Sequence, residues 1–162
     1  MREFELDAQR TSTEATTLSQ DAAIVLALAE TAVPFASSFE DEAERWVRVL
    51  RMHGTVGASL QALGVGEAPL ETTAAPHAVR LLRSRDAEAD VVETVQSCAR
   101  SFACQRGAGC VTTVDVLFGV IEVYGQTFDR ALYIRGATRD ELLERLMEAG
   151  SSVPAPYDGS TV

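Results

Sequence analysis

The side chains able to make or break bonds are few: His53 and His77, then Cys98, Cys104 and Cys110, and a set of carboxylates headed by Asp41, Glu42 and Asp115. Nucleophilic catalysis needs a thiol or hydroxyl held against a base, and neither histidine stands at a spacing that builds such a pair. His53 falls at the end of a helical stretch just before Gly54, where a cationic ring favours the helix dipole. His77 follows Pro76 in a connector. Cys98 and Cys104 sit at helical spacing beside Ala99 and Phe102, which predicts buried small hydrophobes rather than reactive thiols. Cys104 and Cys110 offer two thiolates across a loop where a closed zinc site wants four ligands. Three cysteines, an odd number without an export signal beside them, argue for reduced thiols. The expectation is no catalytic group, no metal and no cofactor.

The cations narrow the field further. All 14 basic residues are Arg. Without lysine the chain has no P-loop, no Schiff-base chemistry and no Ser-x-x-Lys nucleophile. A GC-rich genome and the avoidance of lysine-directed tagging would both produce that composition. The Gly107-Ala-Gly109 turn resembles a phosphate cradle in composition but has no strand before it. A formal net charge of -10 repels phosphate backbones, so a nucleic-acid partner is not expected. The longest apolar run, Ala22 to Ala29, is too short to cross a bilayer, and Met1-Arg-Glu-Phe-Glu-Leu-Asp7 lacks the basic-then-apolar layout of a secretory signal. These features predict a cytoplasmic protein with no membrane partner.

The elements that would position these residues are helical. Apolar residues recur at helical spacing, and β-branched runs bounded by hairpin turns are missing, so the fold class is all-α. The first helix is expected from Gln20 to about Val33, apolar on most sides, and Pro34 ends it. Ser37-Ser38 starts a second helix whose Ala43, Trp46, Val47 and Leu50 share a face, and which stops near His53-Gly54. Thr55 is expected to cap a short third helix carrying Val56, Leu60 and Leu63, with Gly64 as its left-handed stop. Pro76 to Ser84 reads as a brief helix or connector, and Asp86 to Phe102 as a helix with Val91, Val95, Cys98 and Phe102 on one stripe. After the loop Gln105 to Cys110, Thr112 and Thr113 precede a helix through Tyr124, and Thr127 repeats the cap expected at Thr55. Thr138-Arg-Asp-Glu141 is a capping box with Leu142, Leu143 and Leu146 behind it and Gly150 as the stop. Residues 1–18 and 151–162 read as flexible arms around one domain, 19–150.

That domain says one thing twice. The segment Asp41 to Gly64 recurs as Thr113 to Gly136 without a gap: Trp46 meets Phe118, Val49 meets Ile121, Thr55 meets Thr127, Leu60 meets Leu132 and Gly64 meets Gly136. Self-similarity at a fixed offset marks stacked units, each supplying the other's missing wall. Two tandem four-helix repeats with pseudo-twofold symmetry, 19–75 and 76–150, and about eight helices in all are expected. Trp46 and Phe118, on matching apolar stripes, read as core rather than as an aromatic platform.

These residues resemble a family: the Clp repeat domain found at the N-terminus of the AAA+ unfoldases that feed the Clp protease. Val111-Thr-Thr-Val-Asp-Val-Leu-Phe-Gly-Val-Ile121 is similar to the family's Ile-Gly-Thr-Glu-His-Leu-Leu-Leu-Gly-Leu, with Thr113 and Gly119 in register. Phe128 to Gly136, and Val56 to Gly64 more closely, look like the family's Ala-Ala-x-x-Leu-x-x-Leu-Gly. The resemblance runs from about Leu18 to Gly150 and implies an eight-helix module that does no chemistry and binds adaptors, substrate segments and some cyclic peptide antibiotics. In some members the Glu of the Thr-Glu-His motif reads phosphoarginine. Glu42 takes that position in the first copy and Val114 in the second, while Ala43 and Asp115 replace the His. The candidate peptide-binding residues are therefore Glu42 with Asp41 and Arg45, Asp115, and Leu82 with Arg83 of the connector; the plainer reading of Glu42 is a solvated acid favoured by the helix dipole. With no Walker motif in the chain, a stand-alone adaptor or decoy is expected, whose partners are Clp-type unfoldase or protease components, their substrates or adaptors, or cyclic or arginine-phosphorylated peptides. A toxin-sequestering protein and a regulator that borrowed the fold are the alternatives.

Overall fold

The computed structural model describes residues 17–66 and 90–151; Leu82, Arg83, His77, the expected helix at Pro76 to Ser84 and most of both arms lie outside them. Among the described residues the chain forms seven α-helices and one short parallel strand pair, so the all-α class holds. Strand β1, Thr17–Leu18, takes up the last two residues assigned to the N-terminal arm and pairs with β2, Cys110–Val111. Ser19 N–H extends that pairing to the Val111 carbonyl at 2.8 Å.

Helix α1, Gln20–Ala32, begins where the Ser19 hydroxyl accepts the Ala22 N–H, and it is followed by a single 3-10 turn, Val33–Phe35, with Pro34 in the middle. The expectation of burial on most sides is corrected. Ala22, Val25, Leu26 and Ala29 face the core, while Ala23 and Ala27 face water. The outward positions of the apolar run are alanines, whose small side chains lose little by exposure.

Helix α2, Phe39–Met52, is capped by Ser38, whose hydroxyl accepts the Asp41 N–H at 3.1 Å, and it buries Ala43, Trp46, Val47 and Leu50 as its spacing requires. Helix α3, Gly54–Ala62, follows after His53 alone and ends in the expected left-handed Gly64, with φ at +82°. Thr55 is not its cap: α3 starts one residue earlier, from extended His53 into left-handed Gly54. Thr127 is no cap either, because helix α6, Gln126–Ile134, starts straight from left-handed Gly125. In both places a backbone reversal available to glycine does what a hydroxyl was expected to do.

Helix α4, Val91–Gln105, is capped by the Asp90 carboxylate. Its buried stripe is Val92, Val95, Ala99 and Ala103, so the expected one is rotated: Val91, Cys98 and Phe102 are half-buried, and Cys104 is exposed. The reason is helix α5, Thr113–Tyr124, which lies against α4 at Gly119. A Cβ there would stand 2.7 Å from the Val95 carbonyl oxygen, so only glycine allows this crossing, and the small Ala99 and Ala103 turn inward to match it. Helix α7, Arg139–Ser151, has the expected capping box: Thr138 N–H reaches Glu141 Oε2 at 2.9 Å and Glu141 N–H returns to the Thr138 hydroxyl at 3.2 Å. The shared core holds Trp46, Leu50 and Leu60 from the first half with Leu117, Phe128, Leu132 and Leu142 from the second. Phe118 stays half-buried beside Phe102, ring centroids 5.8 Å apart, and does not join Trp46 at full depth.

Candidate functional site

The acidic start of α2 divides its charges between two directions. Asp41 and Arg45, one turn apart, form an ion pair at 3.3 Å that lacks hydrogen-bond alignment at Nε. Arg45 Nη1 donates to the Ala32 carbonyl at 2.9 Å, and Asp41 Oδ2 accepts the Ser37 N–H at 2.9 Å, so the pair ties the end of α1 and the loop after the 3-10 turn to α2. Burial raises the Asp41 carboxyl, but the Ser37 N–H and the Arg45 guanidinium outweigh it and hold the group below its ordinary range.

Glu42, one residue on, points the other way. It is only 6% exposed, and its Oε2 accepts the Tyr124 hydroxyl at 3.0 Å. That hydroxyl in turn accepts the Trp46 Nε1–H at 3.1 Å, and the Phe39 ring lies over Tyr124 with centroids 4.8 Å apart. The solvated-acid reading of Glu42 is thus corrected: a carboxylate in the core is tolerable because donors reach it. Glu42, Trp46 and Tyr124 form a polar thread between α2 and the end of α5.

Asp115 belongs to a separate cluster. Arg106 grips it from two nitrogens, Nε at 3.2 Å to Oδ1 and Nη2 to Oδ2, and Thr112 adds its N–H at 2.9 Å and its hydroxyl at 3.1 Å. This carboxylate closes the loop between α4 and α5 and caps α5. Of the sequence candidates, then, the fold joins Asp41 to Arg45, turns Glu42 inward to Tyr124, and keeps Asp115 on its own partners. Val114, in the position of the family's second Glu, is half-buried.

A surface concavity lies elsewhere among the described residues. Asp129, Arg130 and Tyr133 of α6 and Thr138, Arg139 and Asp140 at the start of α7 line an open groove of about 430 Å³. Arg139 is bidentate to Asp129 at 2.6 and 2.8 Å and also reaches the Gly125 carbonyl at 3.4 Å, which fixes the groove's floor. Arg130 and Asp140 have no ion-pair partner among the described residues, and the Tyr133 ring projects into water. Sequence reasoning passed over this place. Its one advance signal was the Asp129 and Arg139 pair, ten residues apart across a glycine turn.

Among the described residues, no group of three or more His, Cys, Asp and Glu side chains is placed to hold a metal ion, and no helix is long and apolar enough to cross a membrane. His53 is half-buried at the start of α3, and all three cysteines are unpaired. Compared with models of known protein families and with curated proteins, the chain matches none.

Proposed function

We propose that this protein is a non-catalytic peptide- and protein-binding module made of two diverged copies of one helical unit, akin to the Clp repeat, and that it serves a Clp-type unfoldase as adaptor or decoy in the cytoplasm. The observation that carries the reading is the coincidence of helix boundaries at the offset that lays Asp41 on Thr113. Helix α3, Gly54–Ala62, falls on α6, Gln126–Ile134, end on end. Helix α2 ends at Met52 and α5 at the matching Tyr124, and α1, Gln20–Ala32, falls within one residue of α4, Val91–Gln105. The turns after α3 and α6 also correspond: Val65 N–H bonds the Leu60 carbonyl at 3.0 Å, and Ala137 N–H bonds that of Leu132 at 3.1 Å. Such agreement in closing bonds is what duplication of one unit leaves behind after its side chains diverge.

Recognition rather than reaction also suits the fate of the acids. Glu42 and Asp115 are committed to internal donors, which argues against a paired phosphoarginine reader built on them and moves ligand contact to the surface. The net charge of -10 favours cationic partners over nucleic acid.

The test uses the purified chain as bait for purified Clp-type unfoldase and protease, with thermal shift against arginine-phosphorylated and cyclic peptides alongside. Retention of the unfoldase bears the proposal out. A melting shift with a cyclic peptide and no retained Clp component turns the assignment toward ligand sequestration. Neither response would reject both and leave a regulator that shares only the architecture.

A further inference from the structure

We propose that the groove between α6 and α7, with the surface beside it, docks a basic peptide segment carrying an apolar side chain close to its Arg or Lys; this names the ligand class within the peptide-binding reading and rests on it. Tyr133 and Ile134, at the end of α6, are 75% and 74% exposed and are the most exposed large apolar side chains among the described residues. Tyr133 lines the groove. An exposed aromatic side chain at a concavity and an exposed branched aliphatic one next to it in the chain, on the surface beside the groove, are the kind of anchors that interfaces bury.

The charge beside them selects the occupant. Asp140, Glu144 and Glu148 follow one another at one-turn spacing on a single face of α7, all exposed and none ion-paired among the described residues. Like charges at that spacing oppose one another along a helix, and a cation laid along the stripe relieves the repulsion. Within the groove the Arg139 charge is already cancelled by Asp129, and Arg145, three residues before Glu148, adjoins the stripe as one cation against three acids and leaves it net negative. A second copy of this chain is a poor occupant, since two bodies of charge -10 repel, and an anionic membrane is a poor one for the same reason. A basic segment with an apolar anchor satisfies both features: its cation stacks on the Tyr133 ring or pairs with the stripe, and its anchor covers Ile134.

Arg130 supplies the discriminating measurement, because this cation at the groove has no ion-pair partner among the described residues and opposes a basic ligand. Isothermal titration of the whole protein with a short synthetic Leu/Arg peptide, and with a Leu/Glu peptide of equal length, should show binding of the first alone, weakening as salt is added. The double variant Tyr133→Ser, Ile134→Ser and the single variant Glu144→Arg should each weaken it by about tenfold, and Arg130→Glu should strengthen it severalfold. All are surface changes, and unchanged circular dichroism spectra check the fold. Equal binding of both peptides, no binding, or binding indifferent to these substitutions would overturn the proposal. If a Clp unfoldase is nevertheless retained by the bait, the broader function survives and only this surface is wrong.

Discussion

Asp41 shows how one side chain makes the molecule sensitive to acid. Its carboxyl is held below its ordinary range in the fold, so it binds a proton less readily there than in the unfolded chain. The stabilisation is therefore fully present above the unfolded value and disappears as pH falls through the lower folded one. Urea unfolding followed downward from about pH 5 should show the wild-type midpoint falling, with a shallower fall in Asp41→Asn. An identical acid slope in the two proteins would refute the role given to the Ser37 and Arg45 contacts. At this scale the sequence was only half legible. The local partners of Asp41, four residues away on either side, follow from helix geometry. The burial of Glu42 does not, because Tyr124, a donor that helps to make it tolerable, is 82 residues away.

Among the elements, some ends set by neighbouring residues were readable in advance, although α7 runs through Gly150, its expected stop, to Ser151. The Thr138–Glu141 capping box and the Gly64 stop both stand where the residue pattern puts them. The starts of α3 and α6 were misplaced by the assumption that a threonine hydroxyl opens them, when glycine reversals do so. The rotation of α4 was hidden for a different reason: its inward face is chosen by the partner it meets, and the close crossing at Gly119 brings Ala99 and Ala103 inside. Gly119→Ala places a methyl group against the Val95 carbonyl oxygen and must push α5 off α4. The expected cost is about 1–3 kcal/mol, read as a lower denaturant midpoint with little change in helical content. An unchanged midpoint would mean that the two helices do not approach as described.

At the scale of the whole molecule, the two halves are not independent bodies leaning together. Glu44 on α2 pairs with the nearly buried Arg135 after α6 at 3.8 Å, a Cβ on Gly54 would stand 2.7 Å from the Thr113 side chain, and Trp46 bonds Tyr124 in the core. Contacts of this depth across the midline predict one cooperative unfolding transition, with calorimetric and van't Hoff enthalpies in agreement. Tyr124→Phe should keep that single transition and lower stability by about 1–3 kcal/mol, because the fully enclosed Trp46 N–H loses its acceptor. Two separable transitions would instead describe autonomous repeats. The proposed duplication rests in the sequence on Trp46, Leu60 and Gly64, which have counterparts at a constant interval. The polar thread that crosses between the halves was not legible there, since Tyr124 corresponds to Met52, which bears no hydroxyl.

The same indole has an optical consequence. Trp46 is the chain's sole tryptophan, shut away from solvent at the joint between the halves and hydrogen-bonded there. Excited selectively, it should emit toward the blue and resist acrylamide quenching, and any ligand that loosens the joint will redden the spectrum without a label being attached. The protein thus carries its own gauge of whether a change at the surface is felt at the centre.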